Sequence, residues 1–334
     1  MIPTHNRAKS LSTLLQCLGY QRDLEDLNWE IVIVDNASTD NTKEIAYAFS
    51  EGSNLNINYV YEPKMGSSYA RNAGVVSSKA DLILFIDDDL LLPKDYLSNF
   101  FIAMYEFKDF DIFMPRILPD WEYVEKQPFW LTFNKPFNIM QSFLPFHDLG
   151  IEPLRYPNRF AKNPISGSFL VKKQVFEKIG LFRDDLGVNQ SGQCEDTEFF
   201  LLAMICKIKI LYWPYATVYH PVNPKRLNLS SLHHYYFKIG KSMYLIKNTG
   251  RIFNIKKKQM IGVEGYIANK YPAVLKSILL DVKILKLPIF LILKLLLLIL
   301  LLPLSVFLLL IKCPFYISTK IATTIGEANG YIKS

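Results

Sequence analysis

Three consecutive carboxylates, Asp87, Asp88 and Asp89, follow directly on the apolar run 82–86, and further apolar residues follow them at once. The run is short and does not alternate with polar residues, as expected of a central strand with both faces covered. Three like charges in a row repel one another, and a divalent cation would stabilise them because hard cations prefer carboxylate oxygens. A solvated turn or the start of a helix would also accommodate three acids, so the triplet alone leaves both interpretations open.

Four further polar residues stand where a predicted strand or helix begins or ends. Asp35 closes the β-branched run 31–34, and His220 follows a short apolar strand. Glu195 and Asp196 open a helix, where the helix dipole favours an ionised carboxylate. A neutral imidazole can bind a metal, and a protonated one can stabilise a diphosphate. Glu195 and Asp196 could equally be helix caps, and His220 an ordinary core or surface residue.

Alternating strands and helices position these residues in the first part of the chain. The strands are predicted at 30–36, 57–61 and 82–86, with helices that end near residue 20 and that span 43–50, 67–76 and 93–107. Strand and helix alternate four times in about 110 residues, which indicates a mostly parallel, doubly wound α/β sheet. The first strand is nearly absent, since only two residues precede Pro3 where a buried strand would hold about five. Either the true start lies upstream, or the sheet has an unusually short member.

The alternation of predicted strands and helices stops between residues 114 and 162, where aromatic residues are scattered among several prolines. A long irregular segment inside a compact domain is usually a lid or a binding loop. These aromatics could hold a sugar or lipid acceptor, or they could simply pack an insertion onto the body of the domain. Regular elements resume with strands at 165–171, 208–213 and 217–219 and helices at 173–179, from about 192, and at 229–247.

The C-terminal part of the chain differs sharply from the rest in charge and hydropathy. Residues 251–334 hold 12 Lys and Arg against 3 Asp and Glu, and residues 288–311 are almost wholly aliphatic, broken by Lys294 and Pro303. A helix that spans a bilayer needs about 20 apolar residues, and a basic, apolar tail indicates anionic lipid rather than nucleic acid. We divide the chain into a globular domain at 1–250, a basic amphipathic linker at 251–287, a membrane segment at 288–311 and a short tail at 312–334.

The topology of the apolar segment is left open by its sequence. It could form a single span, a hairpin bent at Pro303 or a helix half-sunk in one leaflet, and a buried soluble core is a further alternative. More lysines precede the segment than follow it, which favours a cytoplasmic globular domain. The four cysteines show no zinc or paired-disulfide spacing, which fits a reduced compartment. The N-terminus carries no signal-peptide pattern.

Seven motifs, taken in order and spacing, resemble the inverting family 2 glycosyltransferases, which have the GT-A nucleotide-diphospho-sugar transferase fold. The motifs are IPTHNR at 2–7, VDNASTD at 34–40, ARNAG at 70–74, FIDDD at 85–89, GSFLVKK at 167–173, CED at 194–196 and VYH at 218–220. The resemblance covers about residues 1–250. The sequence departs from the family in its short first strand, in the aromatic insertion and in the cysteine before Glu195.

The resemblance implies a nucleotide-diphospho-sugar donor held with Mg²⁺ or Mn²⁺ at a DxD motif. Asp89 would touch the metal directly, His220 would complete the metal shell or stabilise the diphosphate, and Asp87 would face the ribose or the metal's waters. Asp88 should point to the opposite face of the sheet, which favours a structural role, although it stays among the nucleotide-sugar-binding candidates. The remaining nucleotide-pocket residues implied are Thr4, Arg7, Asp35, which would bind the base, and Arg71.

Inversion requires an in-line attack by an acceptor hydroxyl and a base that takes its proton. Asp196 matches the family base, and Glu195 would hold a neighbouring hydroxyl or backbone group, so both are catalytic candidates. Cys194 is interpreted as a packing residue. The Gln-x-x-Arg-Trp run of processive members does not occur in the sequence, which predicts transfer of one sugar per encounter.

The function expected from this resemblance is metal-dependent, non-processive hexosyl transfer to a hydroxyl of a glycan or lipid-linked acceptor at a membrane, in polysaccharide biosynthesis. Two alternatives remain. Transfer to polyprenyl phosphate would use an acceptor that is already anionic and would not need Asp196 as a base. A non-catalytic nucleotide-sugar-binding membrane protein would keep the fold without the reaction. The sequence shows no nucleic-acid-binding module or basic stripe in the globular domain.

Overall fold

The structure is a computed structural model that describes residues 1–25, 27–126, 143–144, 146–157, 164–190 and 192–255. Within these residues, strands and helices alternate as far as the fourth helix. The elements are, in chain order, β1 (Ile2–Thr4), α1 (Ala8–Gly19), β2 (Ile31–Asp35), α2 (Thr42–Gly52), β3 (Ile57–Tyr61), α3 (Ser67–Ser77), β4 (Leu82–Ile86), α4 (Tyr96–Glu106), β5 (Ile112–Asp120), β6 (Leu154–Arg155), β7 (Ser168–Lys172), α5 (Gln174–Ile179), α6 (Glu195–Ile205), β8 (Ile210–Pro221) and α7 (Leu229–Asn248).

The strands form two sheets that are joined through Met1. The first has the order β1-β2-β3, all parallel. The second has the order β4-β7-β5-β8-β6, in which β5 and β8 are parallel and the other neighbours are antiparallel. The Met1 amino group donates to the Leu84 carbonyl at 2.8 Å, and the Ile86 amide donates to the Met1 carbonyl at 3.0 Å. The residue that precedes β1 therefore pairs with β4, so the start of β1 lies beside β4 as well as β2.

The predicted mostly parallel, doubly wound sheet is confirmed in part: β1, β2 and β3 are parallel, and so are β5 and β8, but β6 and β7 run antiparallel to their neighbours. In the second sheet, β7 lies antiparallel between β4 and β5, so the architecture is α/β with mixed strand directions. A strand that is buried on both faces is apolar whichever way it runs. Its residues therefore give no signal for its direction.

The stretch 114–162 is more ordered at its start than its sequence predicts. β5 runs on to Asp120, and β8 beside it is one strand rather than the two short strands expected. Their pairing shifts register just after Pro115, and irregularities of this kind tolerate proline in a strand. Residues 127–142 and 158–163, which carry many of the aromatics of this stretch, lie outside the described residues.

Helices cover both faces of the strands. α3, α5 and α6 contribute to one hydrophobic core, and α1 and α4 to the other. The ring of Phe85 stacks on Phe169 with centroids 4.5 Å apart, and Phe169 meets Phe200 of α6 edge-on at 5.1 Å. At Gly74 of α3, a Cβ would lie 2.4 Å from Cγ of Met1, so the absence of a side chain there lets the helix lie close to Met1. These contacts fix α3 and α6 against the strand ends.

Residues 256–334 lie outside the described residues, and with them most of the predicted linker at 251–287, the membrane segment at 288–311 and the tail at 312–334. Among the residues that the structure describes, no helix is both long enough and apolar enough to span a bilayer. The predicted division of the chain and the predicted membrane attachment stay predictions.

Candidate functional site

The polar residues predicted to do chemistry lie where β4 and β8 end. Residues 87–89 follow directly on β4. Shortly after them, the Leu91 amide donates to the Tyr219 carbonyl at 2.8 Å, and the Tyr219 amide donates to the Leu91 carbonyl at 3.1 Å. This short bridge holds the end of β8 beside the aspartates, so that His220 is brought to a residue more than 130 positions away in the chain.

The Asp89 carboxylate lies between His220 and Arg7. Nε2 of His220 is 3.4 Å from Oδ1 of Asp89, and Nη1 of Arg7 donates to Oδ2 of Asp89. Nδ1 of His220 lies 3.0 Å from the Pro221 carbonyl oxygen. Because a carbonyl oxygen only accepts, Nδ1 carries a proton and Nε2 is the nitrogen that faces Asp89. Asp89 and His220 are therefore adjacent, as a shared metal site requires.

Asp88 does not stand apart from Asp89, contrary to the expectation that it points to the opposite sheet face. It is buried and accepts a hydrogen bond from Nη1 of Arg7 at 3.0 Å, so the two carboxylates share one guanidinium. The strand ends at Ile86, and the alternation of side chains ends with it. Burial raises the pKa of Asp88 to about 7, although Arg7 lowers it.

Arg71 links the aspartate triplet to the start of α6. Its side chain is 8% exposed, Nη2 donates to Oδ1 of Asp87 at 3.3 Å, and Nη1 donates to Oε1 of Glu195. The Ser67 hydroxyl donates to the same Glu195 oxygen at 2.7 Å. Burial raises the pKa of the Asp87 carboxyl and Arg71 opposes that rise. Arg71 is thus an enclosed ion-pair partner between two elements, and its place in the nucleotide pocket stays a prediction.

Thr4 and Asp35 end neighbouring strands and lie opposite each other in the sheet. Asp35 is buried and accepts hydrogen bonds from the Tyr59 hydroxyl at 2.6 Å and from the Ser38 amide at 2.9 Å. The buried Thr4 hydroxyl makes no hydrogen bond of ordinary geometry within the described residues, although it lies close enough to the Asp88 carboxyl to lower the pKa of that group. A buried polar atom without a partner is rare in native proteins, so Thr4 is suited to serve a ligand. Sequence reasoning missed Tyr59, whose only signal was an aromatic ring on the adjacent strand.

Sequence reasoning also missed Asn36, which organises the loop that enters α3. Its amide nitrogen donates to the carbonyls of Glu62 at 3.1 Å and Lys64 at 2.6 Å, and its oxygen accepts from the Gly66 amide at 2.7 Å. Both N–H groups and the oxygen of this side chain amide therefore hold the loop between β3 and α3 in place. The sequence signal for Asn36 was its position directly after Asp35, the acid that ends β2.

Asp196 lies in the first turn of α6, half-buried, with Oδ1 accepting a hydrogen bond from the Thr197 amide at 2.7 Å. It is close enough to Arg71 to interact with that charge. The preceding Cys194 is buried at a backbone φ of +73°, and burial raises the pKa of its thiol. The thiol is therefore protonated at neutral pH, in agreement with the predicted packing role.

The predicted site residues fall into three contact groups. They are Thr4 with Asp35; Arg7 with Asp88, Asp89 and His220; and Arg71 with Asp87 and Glu195, beside Asp196. The structure thus brings all ten residues to the same end of the strands. Their chemical roles stay predictions.

The side chains of Asp89 and His220 fit a divalent cation only together with ligands from elsewhere. No group of three or more metal-ligating side chains occurs among the residues that the structure describes. Mg²⁺ commonly takes one or two protein ligands and completes its shell with substrate phosphates and water. A carboxylate oxygen 3.4 Å from an imidazole nitrogen suits that mode of binding.

Comparisons with known proteins show which part of this chain is similar to a known family and to individual relatives. The model of Glycosyl transferase family 2 matches residues 1–180. The poly(ribitol-phosphate) beta-N-acetylglucosaminyltransferase TarS of Staphylococcus aureus is 29% identical over 99 residues, which are 30% of this chain and 17% of TarS. The dolichol-phosphate mannosyltransferase of Pyrococcus furiosus is 25% identical over 274 residues, 81% of this chain and 69% of that protein. The chain thus matches about a sixth of the length of TarS.

Two solved structures show the same fold. TarS residues 1–349 superpose with a TM-score of 0.50 at 18% identity, covering 75% of this chain and 64% of that one. The mannosyltransferase PcManGT of Pyrobaculum calidifontis, solved with GDP-Man and Mn²⁺, superposes with a TM-score of 0.54 at 18% identity, covering 98% of this chain and 84% of that one. These likenesses support a GT-A-like α/β fold with mixed strand directions.

Proposed function

Because the chain belongs to glycosyl transferase family 2, whose model spans residues 1–180, we propose that it is a metal-dependent, inverting and non-processive glycosyltransferase. It moves one hexosyl group from a nucleotide-diphospho-sugar to a hydroxyl of a glycan or lipid-linked acceptor. The observation that carries this proposal is the contact of Arg71 with both Asp87 and Glu195. That contact sets the triplet that would hold the donor directly beside the helix that would deprotonate the acceptor.

The donor side of the proposal rests on the groups at the ends of β1, β2 and β4. The Thr4 hydroxyl, which makes no hydrogen bond of ordinary geometry within the described residues, and the buried Asp35 carboxylate offer a hydrogen-bond donor and acceptors to a nucleoside. Asp89 and His220 would hold Mg²⁺ or Mn²⁺ together with the diphosphate, and a bound cation would neutralise the charge that develops on the leaving diphosphate. Arg7 is half-exposed beside them and offers a second positive charge to the same phosphates.

The acceptor side rests on the first turn of α6. The acceptor hydroxyl oxygen attacks the anomeric carbon as the bond from that carbon to the diphosphate oxygen breaks, and the hydroxyl proton passes to Asp196. Asp196 lies in the first turn of α6, where the helix dipole interacts favourably with negative charge. Glu195 is buried and its Oε1 accepts from both Arg71 and Ser67, whereas Asp196 is half-buried, so Asp196 is the carboxylate more available for the proton.

The acceptor is proposed to be membrane-bound, with the globular domain in the cytoplasm. The basic residues from 251 onward and the apolar segment at 288–311 would bring the active site to a lipid surface. The similarity to a dolichol-phosphate mannosyltransferase favours a second candidate, transfer to polyprenyl phosphate. A non-catalytic nucleotide-sugar-binding protein is a third, and the presence of both Asp89 and Asp196 counts against it.

The test is a donor screen that measures released nucleotide diphosphate with Mn²⁺ and with glycan, lipid-linked and polyprenyl phosphate acceptors. Asp196→Asn should abolish transfer to a hydroxyl while leaving the affinity for nucleotide diphosphate unchanged. The exposed Asp184→Asn is the matched control and should behave as wild type. Undiminished transfer by Asp196→Asn to polyprenyl phosphate would favour the second candidate. Absence of metal-dependent nucleotide binding in calorimetry would favour the third.

A further inference from the structure

A second buried carboxylate on α6 is held by an arginine from the end of the described chain. Glu198 is 0% exposed. Nε of Arg251 lies 3.2 Å from its Oε1, and Nη2 lies 2.5 Å from its Oε2. This is the bidentate arrangement of a guanidinium and a carboxylate, which fixes direction as well as distance. Neither residue touches the groups that would meet the donor or the acceptor.

The chain around Arg251 is shaped to let it reach α6. Nη1 of Arg251 donates to the Ile179 carbonyl at 2.7 Å, and a Cβ on the next residue, Gly180, would lie 2.9 Å from that nitrogen. Gly180 has a φ of +81°, a conformation that suits glycine. A side chain at this position would therefore push the guanidinium away from Glu198. The contact depends on the absence of a side chain there.

Two arginines consequently hold the first turn of α6 from different parts of the chain. Glu195 and Glu198 are three residues apart and lie on one face of the helix; Arg71 of α3 binds the first and Arg251 binds the second. Asp196 lies between them in sequence and faces a different direction. The hydrophobic burial of α6 against β7 is not in itself directional, whereas two ion pairs on one face fix direction as well as distance and so restrict the rotation of the helix about its axis.

We propose that Arg251 is a positioning residue for Asp196, acting through Glu198. The inference rests on the proposed role of Asp196 as the base. When Arg251 is lost, the first turn of α6 rotates or loosens, and the carboxylate of Asp196 moves out of line with the acceptor hydroxyl. The donor pocket is built on β1, β2 and β4 and stays unchanged.

The test is the double variant Glu198→Leu/Arg251→Met in the full chain, which leaves no buried charge unpaired and so should fold. Because a displacement of about 1 Å can cost up to about 100-fold in rate, we expect kcat to fall by about 10- to 100-fold. KM for the donor and the affinity for UDP or GDP with Mn²⁺ should stay within two-fold of wild type. Arg251→Lys keeps the charge but cannot make the bidentate contact with Glu198. Its kcat should lie between that of wild type and that of the double variant.

The matched control is Arg183→Met/Asp185→Asn. Arg183 holds the same terminal segment through Thr249 at 3.0 and 3.1 Å and pairs with Asp185. Among the described residues it makes no hydrogen bond or ion pair to α6, and the charge of Glu198 acts on it only from a longer distance. Its kcat should stay within two-fold of wild type. Hydrogen exchange of the amides of residues 195–198 should rise in the Arg251 variant and not in the control.

The outcomes separate this inference from the proposed function. An unchanged kcat in the folded Glu198→Leu/Arg251→Met variant would overturn the positioning role. A parallel loss of kcat, Tm and nucleotide affinity would show that Arg251 only stabilises the fold, which would also overturn it. If wild type transfers no sugar from any donor, the proposed function fails, and unchanged exchange at residues 195–198 would then be the result that rejects the role of Arg251.

Discussion

Replacing Arg71 with methionine tests whether buried ion pairs hold the two halves of the site together. The guanidinium is almost fully buried and binds both Glu195 and Asp87. Methionine keeps much of the length of the side chain and removes its charge. Glu195 then stays buried without its counter-charge, and of its described partners only the Ser67 hydroxyl remains.

The size of the effect follows from the burial of both partners. Removing one partner of a buried ion pair costs about 3–5 kcal/mol because the other charge is left uncompensated. The Ser67 bond offsets part of this, so we expect Arg71→Met to lower the free energy of unfolding by about 3 kcal/mol at pH 7. For a domain of this size, that corresponds to a fall in Tm of about 6–12 °C.

The loss should also depend on pH. A protonated carboxyl group needs no counter-charge, so the difference between Arg71→Met and wild type should shrink as the pH falls from 7 towards 4. The double variant Arg71→Met/Glu195→Gln carries no ionisable group at either position. Its stability should therefore recover at pH 7 and should show less of this pH dependence.

Urea unfolding followed by circular dichroism at pH 7 and pH 4.5 measures these differences. The exposed Arg22→Met is the matched control, and its unfolding free energy should stay within about 0.5 kcal/mol of wild type. A loss below about 1 kcal/mol for Arg71→Met at pH 7 would contradict the reasoning. So would a double variant that is no more stable than the single one, because the unpaired Glu195 charge would then not be the cause.

Three further outcomes are expected. Asp89→Asn should reduce the gain in affinity for UDP or GDP that Mn²⁺ provides by at least about 10-fold in calorimetry, since a carboxylate ligand is lost; an unchanged gain would exclude it as a ligand. Because burial raises the pKa of Asp88 to about 7, the folded state holds a proton that the unfolded state releases above about pH 4, and this group makes wild type less stable as the pH rises from 4 to 7. Asp88→Asn should therefore gain stability relative to wild type over that range, by at most about 1.4 kcal/mol per pH unit in urea melts without metal, and a flat difference would contradict it. Gly74→Ala should destabilise by about 1–3 kcal/mol because its Cβ would meet Met1, whereas Gly52→Ala, with open space around it, should change Tm little.

Local sequence signals predicted the elements that carry the aspartates. The strands at 57–61 and 82–86 have the predicted bounds, and α3 begins at Ser67 as expected. These elements are short apolar runs or helices bounded by turn and cap residues, so the neighbouring residues are enough to predict where each element begins and ends. The triplet at 87–89 could be recognised for the same reason, because its unusual charge directly follows one of those runs.

The partners of the site residues could not be predicted in this way. Arg71 and Glu195 are 124 positions apart, and no periodicity or cap signal relates them. Arg7 is predicted to line the nucleotide pocket, and no sequence pattern indicated that its guanidinium would also pair with both Asp88 and Asp89. A long side chain can choose among several acids within its reach, and the choice depends on which are buried and already paired. That information exists only once the strands are assembled.

Arg7, Arg71 and Arg251 differ in the exposure of their side chains, and this difference indicates different roles. The Arg7 side chain is 49% exposed, that of Arg71 8% and that of Arg251 28%. An ion pair in contact with water is weak and screened, so Arg7 can exchange its carboxylates for a phosphate at little cost. Arg71 cannot, because breaking its pairs would leave buried charges uncompensated. The donor end of the site can therefore rearrange its charges around a ligand, while the helix that carries Asp196 is held in place.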